Sequence, residues 1–148
     1  MDIENLLKWL NAHSVRYVVI GAAAFPVHGY ARATLDVDIL IDASEENARR
    51  TWQALHDFGY DVADLTVAAL QTKKILIRQY LVETDVHPFV AGLTFEEAWA
   101  GRVEGAIGKT TAWFAGLDDL IKMKEAAGRP KDREDLRVLR KLRARRRP

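Results

Sequence analysis

The chain has 148 residues, 49% apolar and 29% charged, with a formal net charge of +1, four prolines and no cysteine. That size supports a single domain with an ordinary hydrophobic core, and the balance excludes wholesale disorder. Without cysteine there is no disulfide framework, no thiolate zinc site and no cysteine nucleophile, which fits a reducing compartment.

Ile3, Leu6, Leu7 and Leu10 recur at helical spacing and predict a first amphipathic helix. Arg16 to Ile20 is β-branched and aromatic, hence a short buried strand, which Gly21 ends. The stretch Ala22 to Val27 begins a short helix, and Asp36 to Ile41 reads as a second strand. Ser44 caps a helix that runs through Trp52, Leu55 and Phe58 to Gly59. Thr66 to Thr72 reads as one or two helical turns. Lys74–Gln79 and Tyr80–Val86 read as strands and Phe95–Ala100 as a short helix. Val103–Ile107 and Thr110–Phe114 flank Gly108-Lys109 as a hairpin. Helices follow at Leu117–Ala127 and from Lys131 to about Arg143, separated by Gly128-Arg129-Pro130.

This order predicts an α/β (α+β) domain over residues 1–148, a mixed sheet flanked by helices and closed by a C-terminal helix pair. Residues 131–148 form the last helix and a basic tail. Arg137, Arg140, Lys141, Arg143, Arg145, Arg146 and Arg147 put seven basic side chains and no acid into the last twelve residues. The rest of the chain holds 15 basic residues against 21 acidic ones. Such a tail is either a solvated helix end or a contact for RNA or another polyanion. No run of 18 apolar residues spans a membrane, and Met1-Asp2-Ile3-Glu4 lacks a basic signal n-region, so a cytoplasmic location is expected.

Asp36 and Asp38 stand two apart on a predicted strand, so both carboxylates point to one face while Val37, Ile39 and Ile41 take the other. Two unit charges about 4 Å apart repel by roughly 1 kcal/mol in water and about 4 kcal/mol at an effective dielectric near 20. A divalent cation reverses that sign, and hard oxygen ligands favour Mg²⁺ or Mn²⁺. Asp85, on a later strand with Leu81 and Glu83 on the same face, would complete a triad able to hold two metals, with Glu83 as its competitor. Gly21, between a strand and a helix start, would place unsatisfied backbone amides near the carboxylates as an anion cradle. Lys124 falls on the apolar face of Leu117, Leu120 and Ile121, where a lysine needs an anionic partner. Asp132 and Asp135 share one stripe of the next helix.

Gly21-Ala22, thirteen further residues and Asp36-Val37-Asp38 resemble the nucleotidyltransferase superfamily that includes DNA polymerase β. There a Gly-Gly or Gly-Ser step precedes a hydrophobic-flanked Asp-x-Asp. More narrowly, Arg32-x-Thr34-x-Asp36-x-Asp38 resembles the minimal and AbiEii-toxin-type nucleotidyltransferases. So does Asp119-Leu120-Ile121-x-x-Lys124 followed by Ala127-Gly128-Arg129-Pro130-Lys131-Asp132-x-x-Asp135-Leu136. The resemblance covers residues 17–142. It implies transfer of a nucleoside monophosphate from a nucleoside triphosphate (NTP) to an RNA, tRNA or protein acceptor, with release of pyrophosphate. It implies Mg²⁺ or Mn²⁺ held by Asp36, Asp38 and Asp85, and phosphates held by Gly21, Ala22 and Lys124, with Arg32, Thr34 and Arg129 also at the nucleotide. A toxin role with an antitoxin partner is a further implication. Ala22 departs from the family's glycine or serine and has no hydroxyl for a phosphate. That departure and the chain's small size keep a second reading open, a noncatalytic nucleotide- or RNA-binding module. Arg32 and Lys124 serve either the substrate or structural pairing with the aspartates.

Overall fold

A computed structural model describes residues 2–80 and 82–146. Asp2 accepts a hydrogen bond from the Asn5 amide and starts α1 (Ile3–Ala12), whose Leu6, Leu7 and Leu10 are fully buried. Burying each such leucine contributes about 1.5–3 kcal/mol. Four consecutive buried residues make β1 (Tyr17–Ile20), so the sheet is covered on both faces there. After β2 (Asp36–Ile41), Ser44 caps α2 (Glu45–Phe58) through the Asn47 amide, and Gly59 ends it in the left-handed conformation. Next come α3 (Val67–Thr72), β3 (Ile75–Ile77) and β4 (Glu83–His87). Thr94 and Glu97 form a reciprocal capping box on α4 (Phe95–Ala100). The hairpin of β5 (Val103–Ile107) and β6 (Thr110–Phe114) precedes α5 (Leu117–Ala127) and α6 (Arg133–Arg146).

The six strands form one mixed sheet in the order β3-β4-β2-β1-β6-β5. Strand β1 runs antiparallel to β2 and parallel to β6, while β2 runs parallel to β4. The edge strands β3 and β5 pair antiparallel with β4 and β6. Helices α1 and α2 pack on each other, as do α5 and α6. The α/β architecture with its C-terminal helix pair is the one expected from the sequence.

Several boundaries differ from expectation, among them β3, which spans Ile75–Ile77 instead of Lys74–Gln79. The segment after Gly21 forms two 3-10 turns, Gly21–Ala24 and Pro26–His28, instead of one helix, because Pro26 has no amide hydrogen to continue the first turn. The strand expected over Tyr80–Val86 begins at Glu83. The Tyr80 hydroxyl donates to the Gly59 carbonyl, which draws that residue into the connection, and Leu81 lies outside the described residues. Helix α6 starts at Arg133, after a 3-10 turn over Pro130–Asp132.

The basic tail continues α6 and ties it to the body. Arg140 lies 3.6 Å from Glu125 and Arg143 lies 3.9 Å from Asp118, both on α5. Arg146 donates to the His28 ring and to the His28 carbonyl. Arg147 and Pro148 lie outside the described residues. Among the described residues no helix is long and apolar enough to cross a membrane.

Candidate active site

Strand alternation sends Val37, Ile39 and Ile41 into the core, each fully buried, and turns Asp36 and Asp38 to the other face. The register of β2 against β4 sets Asp38 opposite Asp85 and Asp36 opposite Glu83. Asp38, Asp85 and His87 thereby offer ligand atoms that all lie within 4.8 Å of one another. Asp36, two residues up the strand, lines the same cavity but is not part of that close group. Glu83 points to Arg78, 3.3 Å away, and does not line the cavity.

His87 follows Asp85 at the same strand spacing, so period-two reasoning applies to it as directly as to Asp36 and Asp38. No metal-ligand spacing connects it to another histidine in the sequence, and the pairing of β2 with β4 is what brings it to Asp38. Its Nε2 donates to Asp38 Oδ1 at 2.8 Å. Asp85 is held from the other side, where Arg78 Nη1 donates to Oδ1 at 2.6 Å and Lys74 Nζ lies 3.8 Å from Oδ2. The Asp85 hydrogen bond raises the Arg78 guanidinium above its ordinary pKa, against partial desolvation.

Two carboxylates and an imidazole at this separation suit one divalent cation. A small shift of rotamer brings such donors to the octahedral distance of about 2.1 Å. The donor chemistry fits Mg²⁺ through the oxygens, and the imidazole adds compatibility with Mn²⁺.

Gly21 adjoins this group. Its φ is +67°, and a Cβ added there would lie 3.1 Å from Asp38 Oδ2. Glycine thus permits both the left-handed backbone and the close approach to the carboxylate. The 3-10 turn that Gly21 opens has no side-chain cap, so its first amides have no side-chain acceptor. Ala22 lines the cavity beside it. Thr34 shapes the entry to β2, with Oγ1 accepting from the Asp36 amide at 3.1 Å and lying 3.2 Å from the Asp36 carbonyl.

Across the cavity stands a chain of alternating charge. Lys124 Nζ donates to Asp132 Oδ1 at 2.9 Å and lies 3.4 Å from Asp135 Oδ2. Arg129 grips Asp132 with two nitrogens, Nε at 2.7 Å and Nη2 at 3.2 Å. Arg32 donates to Asp135, whose other oxygen accepts from the Tyr30 hydroxyl at 3.0 Å. Both carboxylates are buried. Burial opposes charge on Asp132, but the hydrogen bonds from Arg129 and Lys124 outweigh it and hold that carboxyl below the usual range. Three cations against two carboxylates leave this wall with one net positive charge. Arg32 and Lys124 therefore do have the structural pairing that was one of their two readings, and both still line the cavity.

That cavity, about 640 Å³, is lined by every site residue read from the sequence: Asp36, Asp38, Asp85, Gly21, Ala22, Arg32, Thr34, Lys124 and Arg129. It is of the size that holds a nucleotide-sized ligand. An Asp-x-Asp strand set against a third carboxylate in a mixed sheet, with a glycine turn on one side and the Lys124-bearing helix α5 on the other, is the arrangement that the resemblance to the nucleotidyltransferase superfamily implies. The chain belongs to the family described as nucleotidyltransferase of unknown function (DUF6036), which matches residues 1–141. No curated protein sequence matches the chain.

Proposed function

We propose that the protein transfers a nucleoside monophosphate from an NTP to a hydroxyl of an RNA, tRNA or protein acceptor, releasing pyrophosphate, with Mg²⁺ or Mn²⁺ as cofactor. The observation that carries this reading is the register of Asp38 against Asp85 in a cavity whose opposite wall is cationic.

Asp36, Asp38 and Asp85, with His87 as an additional donor, would hold the metal. The metal would neutralise the triphosphate and the charge that develops at the reacting phosphorus. Gly21 and Ala22 would offer backbone amides to the phosphates, and Lys124, Arg32 and Arg129 would supply positive charge from across the cavity. The acceptor oxygen attacks the α-phosphorus, the bond from that phosphorus to the bridging oxygen of the β-phosphate breaks, and pyrophosphate leaves. Asp85 would orient the acceptor hydroxyl and receive its proton. Thr34 would hold the first residue of β2 in place beneath the nucleotide.

The motif likeness to AbiEii-type toxins supports a toxin whose activity an antitoxin protein restrains, acting in the cytoplasm. The tail of α6 would attract an RNA acceptor through its arginines. Incubating the protein with each α-labelled NTP, Mg²⁺ or Mn²⁺, and cellular RNA or protein tests the reading. Label is expected on one acceptor class with one or more NTPs. Tight NTP binding without transfer would instead favour the noncatalytic module, a reading that Ala22, lacking a phosphate-binding hydroxyl, supports.

A further inference from the structure

We propose that Phe89 is the stacking face for the base of the nucleoside triphosphate, an inference that rests on the nucleotidyltransferase reading above. Phe89 is 66% exposed, although phenylalanine usually pays for its place by burial. The other exposed large apolar side chains are Trp9, Leu35, Leu76 and Tyr80, and among the described residues Phe89 alone of this set lines the cavity.

Its position is fixed by the chain on both sides. His87 ends β4 beside Asp38, and Pro88 then restricts the exit of the strand. Gly92 lies flush against α5. A Cβ there would come within 2.7 Å of the Ala126 Cβ and 3.2 Å of the Lys122 carbonyl oxygen, and its φ is +86°. The segment from Pro88 to Gly92 therefore bridges the carboxylate-bearing strand and the helix that carries Lys124, with Phe89 presented between them.

The lining of the cavity divides by polarity. Beside the carboxylates and cations it includes Val90, Ala91, Met123 and Ala127, which the segment from Pro88 to Gly92 and its contact with α5 bring to the side of Phe89. A nucleoside triphosphate divides the same way, into charged phosphates and a flat base. Phosphates held by Lys124 leave the attached base to reach the apolar part, where an aromatic ring offers a face to any of the four bases. Phe89 follows His87 by two residues and lines the same cavity as Lys124, which favours the base of the bound triphosphate over that of the acceptor.

The test is calorimetric titration of the full chain, with Mg²⁺, using nonhydrolysable analogues of the four NTPs, inorganic tripolyphosphate, and total cellular RNA. Phe89→Ala is expected to weaken binding of the preferred analogue by roughly tenfold, the scale of one lost base–aromatic stack. Phe89→Trp is expected to restore it. Tripolyphosphate affinity is expected to stay as in the wild type, which also reports that the variant folds. Unchanged analogue affinity in Phe89→Ala overturns the proposal while the nucleotidyltransferase reading stands. So does an effect confined to the RNA, or an equal loss for tripolyphosphate. A wild-type chain that binds none of the four analogues overturns both.

Discussion

Asp38 on β2 stands directly opposite Asp85 on β4, and His87 reaches back from the same strand to donate to Asp38 at 2.8 Å. His87 and Asp85 are 49 and 47 residues from Asp38 along the chain, and strand pairing brings all three ligand groups within 4.8 Å of one another.

His87 is therefore expected to shape metal use. With His87→Ala, activity supported by Mn²⁺ should fall by about tenfold or more, and activity supported by Mg²⁺ by less, because imidazole suits the softer ion. Parallel activity titrations with the two metals check this. Equal losses with both metals would assign His87 to orienting Asp38 alone.

Gly21→Ala should reduce both stability and transfer. The left-handed backbone costs a non-glycine residue about 1–2 kcal/mol, and the new Cβ would press on Asp38 Oδ2. Thermal unfolding should show a lower midpoint, and kcat should fall about tenfold. A variant that loses stability yet keeps full kcat would show that Asp38 tolerates the intrusion.

Asp132→Asn tests the charged wall. Removing one carboxylate leaves Arg129 unpaired and Lys124 with Asp135 alone, for an expected loss of roughly 2–4 kcal/mol in denaturant unfolding. The pH dependence follows from the direction of its shift. Folded Asp132 titrates below the unfolded carboxyl, near 3.9. Its contribution is complete above that pH and is lost as pH falls through the lower folded value. The wild-type advantage over Asp132→Asn should therefore shrink below about pH 4.

His28 predicts a second, higher window. Its Nε2 donates to the Ala115 carbonyl at 2.7 Å while Nδ1 accepts from Arg146, a pattern that requires the neutral ring. Burial lowers its pKa, the Ala115 hydrogen bond opposes this, and Arg146 lowers it further. The unfolded chain takes up a proton near pH 6.5 before the folded chain does. The contribution is thus complete above pH 6.5 and shrinks as pH falls below it. His28→Gln should cost about 1–2 kcal/mol at pH 8 and less at pH 5, measured by urea unfolding.

Much of this was legible in the sequence because it rests on local periodicity. Val37, Ile39 and Ile41 alternate with Asp36 and Asp38, so the faces of β2 follow from spacing alone, as does the inward placing of Lys124 beside Leu120 and Ile121. The capping residues Ser44 and Gly59 mark α2 in the same way. Long-range pairing was less accessible. Whether Asp85 or Glu83 faces Asp38 depends on a register set by the whole sheet, and the structure brings Asp85 there. The aromatic ring of Tyr80 suits a strand, yet its hydroxyl is drawn to Gly59 and the strand starts later. The arginines after Arg137 read as a separate charged tail, but Arg140, Arg143 and Arg146 point back to Glu125, Asp118 and His28.

The most direct test of the central claim compares the wild-type chain with Asp38→Asn in transfer from α-labelled and γ-labelled NTP, at saturating Mn²⁺ and acceptor. The wild type should place α-label on the acceptor and release γ-label as pyrophosphate, and Asp38→Asn should slow both by about 10²–10³-fold, the scale of losing charge stabilisation in the transition state. Undiminished transfer by Asp38→Asn, or γ-label released as free phosphate with no α-label on the acceptor, would contradict the account.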